Sequence, residues 1–123
     1  LAGIITNTVN TMKSPSHNLT AWLGPAIGPD QFELNSNIQQ QFIHTQPNTA
    51  AAFSQKSNRT FCDLYHLAHI YLNQCGITSI SGGEHCTYNQ EKHFFSYRRE
   101  KNTGRMSTVI MIRAKQAKSA QFC

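Results

Sequence analysis

Residues 94–112 read FFSYRREKNTGRMSTVIMI, and this stretch decides the fold reading. It divides into FFSYR (94–98), a polar turn, and MSTVIMI (106–112). Taken as a strand, the second run places Met106, Ile110 and Ile112 on one face and Val109 and Met111 on the other. A strand that is apolar on both faces belongs inside a sheet covered on both sides. The first run ends differently, because its two aromatics hand over at once to Ser96, Tyr97, Arg98 and Arg99. In a strand, Arg98 and Arg99 point to opposite faces and Ser96 shares the face of Arg98. One arginine is therefore expected to reach a site at the strand end while the other stays in water. A guanidinium fork there suits a phosphate or carboxylate oxygen.

Working outward, DLYHLAHIYLNQC gives the clearest helix. Leu64, Leu67, Ala68, Tyr71, Leu72 and Cys75 form its apolar stripe. Thr60 and Asp63 make a capping pair ahead of it, and Gly76 stands at the C-terminal cap position. ITSIS (77–81) predicts a strand, followed by a long loop GGEHCTYNQEKH (82–93) with room for a helical turn. Upstream, LTAWLG (19–24) suits a buried strand and QFEL (31–34) a second short one. Between them GPAIGPD (24–30) carries two Gly-Pro steps that forbid regular structure. Ser36 can cap a helix with Ile38, Phe42 and Ile43 on its inner face, and Pro47 ends it. NTAAAFSQKSNR (48–59) is loop-like, with space for a short helical turn. Leu1, Ile4, Ile5, Val9 and Met12 share a helical face at the start of the chain. A helix that begins at the first residue without a cap leads us to expect an upstream portion. Alternating helices and strands favour a layered α/β architecture.

The whole chain has 123 residues, with 39% hydrophobic and 14% charged residues, which suits one globular domain rather than a disordered segment. No apolar run approaches the ~20 residues that span a bilayer, and no secretion signal is visible. Cys62, Cys75, Cys86 and Cys123 form no CxxC pair, so reduced thiols and a cytoplasmic location are expected. The net charge of +5 raises nucleic-acid binding. Lys115 and Lys118 fall in a polar tail where solvation is the simpler account, so that class ranks low.

Several clusters can be weighed for chemistry. Cys62, His66 and His69 have metal-ligand spacing on a helix but oppose its apolar stripe, which reads as a solvated face. His85, Cys86 and His93 flank the loop before FFSYRR, where a Cys-His pair could form a nucleophile and base, yet no third orienting group is visible, and a structural Cys86 beside a surface His85 is the simpler reading. GPAIGPD lacks the order of glycines of a dinucleotide or P-loop fingerprint, though its backbone N–H groups, at Gly28 among others, could face a polar ligand. Asp30 and Glu33 could pair for acid–base work, with nothing fixing their geometry. Arg98, with Ser96 on its face, is the best local candidate.

The stretches AWLGPAIGPDQFEL, DLYHLAHIYL, GGEHCTY and FFSYRREKNTGRM, in this order and spacing, resemble the YfiH family, also called the multicopper polyphenol oxidase or laccase-domain family. The resemblance runs over residues 1–112 and leaves 113–123 as a polar tail. It implies an α/β fold of layered mixed sheets with covering helices, similar to the catalytic domain of cytotoxic necrotizing factor. This chain would be its C-terminal half, lacking the N-terminal half as a partner. Members are described as purine nucleoside phosphorylases with adenosine deaminase activity, as polyphenol oxidoreductases and as peptidoglycan editing factors. Phosphorolysis of a purine nucleoside would give Arg98 a partner in phosphate, with Ser96 hydrogen bonding and Gly28 lining the pocket; a phenolic substrate is the oxidase counterpart. The resemblance also implies zinc or copper in the complete protein, held by residues in the motifs TADC and HAGWRG. Neither motif occurs here, so no metal role passes to His66, His69, His85 or Cys86, and this chain alone is expected to be metal-free and inactive. A non-catalytic interaction module is the alternative.

Overall fold

In the computed structural model, which describes residues 3–111, the order of elements is α1 (Ile4–Thr11), β1 (Thr20–Leu23), β2 (Glu33–Leu34), α2 (Ser36–Thr45), β3 (Phe53–Lys56), β4 (Arg59–Cys62), α3 (Leu64–Gln74) and β5 (Ser79–Gly82). 3-10 segments lie at Ser16–Asn18, a single turn, and at Pro47–Ala52. The strands form two sheets, an antiparallel β2-β4-β3 sheet and a parallel β1-β5 pair. One antiparallel and one parallel sheet together with the helices bear out the α/β expectation.

The helix signals were read correctly in kind. Asp63 caps α3 by accepting the N–H of His66 at 3.0 Å. At its other end Gly76 takes φ 77°, and Gly76 and Ile77 donate back to Asn73 and Leu72 at 2.9 and 3.0 Å, a Schellman cap that only a left-handed residue can close. Thr60 takes no part in the cap, because it lies buried inside β4. Asn35, rather than Ser36, caps α2 through its side chain. Pro47 opens the 3-10 segment behind α2. α1 starts at Ile4 behind Gly3 instead of at the first residue.

The segment read as loop-like contains a hairpin as well as the helical turn. β3 and β4 pair from Phe53↔Cys62 to Lys56↔Arg59. Ser57 and Asn58 join them at φ 47° and 61°, the doubly left-handed turn whose twist matches a hairpin. β2 adds to the other side of β4 through Glu33↔Phe61 and Leu34↔Thr60. Against this sheet Ala52, Cys62 and Leu67 form the core, with Phe32, Leu34, Phe42, Phe53, Leu64, Ile70 and Tyr71 packed around them. Phe42 of α2 meets Phe53 of β3 with ring centroids 5.8 Å apart, the tilted contact that aromatic quadrupoles favour.

The final strand pair is not formed among the described residues. Residues 94–96 form no strand and the chain turns over 96–100, where Arg99 and Glu100 both donate to the Ser96 carbonyl at 3.1 and 2.8 Å. Residues 106–111 run without a ladder partner, and Val109, Ile110 and Met111 are 85%, 93% and 83% exposed. Two-faced apolarity pointed to a central strand, but a strand is defined by its neighbours, and among the described residues none pairs with residues 106–111. β1 shows the same shortfall: with β5 on one side only, Trp22 is 55% exposed. The polar tail 113–123 lies outside the described residues.

Candidate functional site

β1 and β5 are in register from Thr20↔Ser79 to Leu23↔Gly82. Because they are parallel, the loops that leave them emerge from the same edge. Ligand sites of α/β proteins gather beyond the carboxyl ends of parallel strands. The two loops are GPAIG (24–28) and GEHCT (83–87), two of the stretches singled out from sequence. They zip together beyond the strands through a parallel bridge between Ala26 and Cys86. Thr87 donates to the Ala26 carbonyl at 2.9 Å, and Gly83 to the Leu23 carbonyl at 3.0 Å.

Gly28 is buried at this seam. Its N–H donates to Cys86 Sγ at 3.2 Å, and a Cβ on it would stand 3.0 Å from that sulfur. The glycine is thus needed for close approach. Its N–H is engaged within the protein. Cys86 is half-buried and His85 exposed. Gln90 Oε1 accepts the Cys86 N–H at 3.2 Å and lies 3.2 Å from His85 Nδ1. His85 also packs on Phe94 at 5.3 Å. Tyr65, in the first turn of α3, reaches both loops: its hydroxyl accepts the Ala26 N–H at 2.8 Å and donates to the His85 carbonyl at 2.5 Å. Sequence reasoning placed Tyr65 in no site. Its only trace is position, one residue after the helix start and off the apolar stripe.

The two arginines behave differently from the strand-based expectation. Arg99 does not stay in water. Its side chain is 15% exposed, and it donates to the carbonyls of Thr87 and Tyr88 at 2.8 Å each and of Phe94 at 2.9 Å. It staples the loop behind β5 to the turn at 96–99. Arg98 is exposed. Its guanidinium lies over the Phe32 ring, 5.0 Å from the centroid, and one Nη1 hydrogen bond of 3.1 Å holds it to the Glu33 carbonyl. Phe32 in turn donates its N–H to the Gly28 carbonyl at 3.1 Å, which links the arginine to the seam. Ser96 is buried beneath the turn. Gly28, Ser96 and Arg98 therefore belong to one connected region.

Other sequence candidates separate from it. Asp30 pairs with Lys56, and Glu33 with Arg59 at 3.3 Å, so the two carboxylates hold cations at the surface. Cys62 is in β4 rather than on the helix that carries His66 and His69. Burial first, and the neighbouring Asp63 second, push its thiol up to about 11, which makes it a poor thiolate donor. Among the described residues no three His, Cys, Asp or Glu side chains group as metal ligands do. Among the described residues two of the candidate thiols do not fit a zinc or copper site: Cys62 is sealed in the core, and Cys86 is taken up by the Gly28 N–H. A cleft of about 460 Å³ between α1, α2 and α3 is lined by Ile4, Ile5, Phe42, Leu64, Leu67 and Tyr71 among others. It presents no carboxylate, imidazole, thiol or cation for chemistry.

The model of the family described as multi-copper polyphenol oxidoreductase laccase matches residues 1–113. Purine nucleoside phosphorylase YfiH of Escherichia coli is 40% identical over 111 residues, covering 90% of this chain and 46% of the relative. Purine nucleoside phosphorylases of Haemophilus influenzae and Pseudomonas aeruginosa are 38% and 36% identical, over 46% and 47% of their lengths. The chain thus spans about half the length of the curated relatives it matches. The crystal structure of Neisseria meningitidis protein NMB0706 superposes with a TM-score of 0.76 at 40% identity, over 79% of this chain and 40% of that one. A match to the family model along nearly the whole chain, together with the shared fold, places the chain in the multi-copper polyphenol oxidoreductase laccase family, the YfiH-like proteins.

Proposed function

We propose that this chain is the C-terminal half of an enzyme that cleaves purine nucleosides with phosphate in the cytoplasm, and that the crest beyond β1 and β5 carries part of its substrate site. The observation that carries the reading is Arg98: an exposed guanidinium, fixed over Phe32 and beside the seam, with most of its donors uncommitted. A fork so held suits the oxygens of phosphate, where charge-assisted pairs are the strong ones. Ser96 holds the turn beneath it through its carbonyl, and Gly28 lets the two loops approach closely enough to form the crest. In phosphorolysis the bond from ribose C1′ to the purine nitrogen breaks as a phosphate oxygen bonds C1′, and the base leaves with a proton on nitrogen. Arg98 orients the anion for that attack and keeps its charge balanced. The names of the curated relatives support the same reaction.

The N-terminal half would supply partner strands for residues 106–111 and β1, and any zinc or copper of the complete protein would be held there. To test the function, the full-length protein is incubated with inosine or adenosine, with and without phosphate. Phosphate-dependent release of free base with ribose 1-phosphate is expected. Oxidation of phenols with no nucleoside turnover would favour the oxidoreductase reading that the family description carries.

A further inference from the structure

Phe95 is 52% exposed, which by itself calls for no explanation. Its setting does. A Cβ on Gly104 would stand 2.6, 2.8 and 2.8 Å from the ring atoms Cε2, Cδ2 and Cζ of Phe95. Cδ2 and Cζ flank Cε2, and near-equal distances to all three put that point over the face of the ring. An approach along the ring edge would leave the flanking atoms much farther away. Gly104 does not take a positive φ, so the glycine answers to space rather than to backbone conformation. The chain is also held on both sides of the ring. The Phe94 carbonyl accepts from Arg99 at 2.9 Å, and the Phe94 ring packs on His85 at 5.3 Å. The Ser96 carbonyl closes the turn with Arg99 and Glu100. With one face on Gly104, what Phe95 exposes is the other face and the rim. A ring fixed in this way has little rotamer freedom left to lose when something settles on it.

We propose that the open face of Phe95 is a stacking platform for the purine base of the substrate. This rests on the nucleoside reading above and adds the residue that takes the base. Arg98, which takes the anion in that reading, follows three residues later, at most about 11 Å away along the backbone. In phosphorolysis the base and the phosphate meet at one ribose carbon, so the groups that hold them belong close together. Stacking uses the π face and not the hydrogen-bonding edge of a base, so inosine and adenosine are held alike.

The test uses the full-length protein. Phe95→Ala should raise the KM for inosine and for adenosine by a similar factor, roughly tenfold, the usual loss of one base–aromatic stack, with the KM for phosphate within about twofold of the wild type. Phe95→Tyr keeps the ring and should keep both values. Phe95→Leu keeps apolar bulk without a π face and should not. Gly104→Ala displaces the ring without removing it and should raise the same two constants. If Phe95 instead packs under the other half of the protein, Phe95→Ala lowers the melting temperature, Phe95→Leu recovers it and no KM moves; that result would overturn the platform. Calorimetric titration with adenosine in the absence of phosphate separates the proposal from the reaction it rests on. A protein that binds adenosine through Phe95 yet cleaves no nucleoside keeps the platform and loses the phosphorolysis reading. Adenosine affinity unaltered by Phe95→Ala, or no adenosine binding by the wild type, removes the platform.

Discussion

The two sheets of this molecule use similar strand lengths and reach opposite conditions. In the antiparallel sheet β4 has a neighbour on each side, and its inward residues close a core with α2 and α3. In the parallel pair each strand has one neighbour, Trp22 stands half in water, and the apolar run 106–111 lies unpaired. The first region holds the fold together. The second holds the loops and the seam, and the exposed Arg98 lies where the two regions meet, over Phe32 and against the Glu33 carbonyl of β2. A two-stranded sheet is marginal by itself, so the parallel region gains its order from contacts made by loops and side chains: Tyr65, Cys86 and Arg99. The core and most of the proposed site therefore draw on different residues.

If that division is right, the largest loss of stability comes from the antiparallel side. Leu67→Ala should destabilise the chain by about 2–5 kcal/mol, the usual cost of truncating a buried leucine, as read by urea unfolding. Ile110→Ser should leave the midpoint of the 123-residue chain nearly unmoved, because Ile110 is almost fully exposed. Equal effects would erase the distinction between the two regions.

Arg99→Ala comes next. It strands three carbonyls that a partly buried guanidinium now serves, and each such loss is worth about 1.5–3 kcal/mol before water replaces the donor. We expect an overall loss near the lower end of that range, whereas Arg98→Ala should cost little stability, since its side chain is exposed.

Cys62 supplies a pH test of the core. Its thiol is raised from 9.0 to about 11 in the folded chain. Below pH 9 the thiol is neutral in both states and stability is undiminished. Between pH 9 and 11 the unfolded chain ionises and the folded one resists, so stability falls, by at most about 1.4 kcal/mol per pH unit. Comparing the alkaline slope of unfolding free energy with that of Cys62→Ala isolates this contribution; identical slopes would mean that the thiol is not sealed. The smallest effect belongs to the surface pairs. Lys56→Ala and Arg59→Ala should each shift stability by less than about 1 kcal/mol, as exposed ion pairs do, in thermal melts at low salt.

The sequence carried the closed region and the site unequally. The α3 stripe, its acidic cap and Gly76 were legible because each is a local rule. The hairpin was missed because Ser57 and Asn58 are a weaker turn signal than Asn-Gly, and the strands on either side, FSQK and RTFC, are mostly polar outward. MSTVIMI reads as a sheet strand by composition, yet residues 106–111 pair with nothing among the described residues, because pairing depends on what lies beside a segment, which no local pattern encodes. At the site, GPAIG and GEHCT were visible as distinctive loops. That they meet depends on β1 and β5 pairing in parallel across residues far apart in the chain. Arg98 and Arg99 were visible as a pair. Their roles could not be assigned by strand alternation, because the segment that carries them turns at Ser96.

The central claim is that the exposed arginine at the crest engages phosphate while its neighbour only holds the loops. The most direct measurement is the phosphate dependence of inosine cleavage by the full-length protein, with Arg98→Ala beside the wild type. Removing a charge-assisted contact should raise the KM for phosphate roughly ten- to a hundred-fold while the melting temperature stays near that of the wild type. An active Arg98→Ala enzyme with an unchanged KM for phosphate would contradict the account.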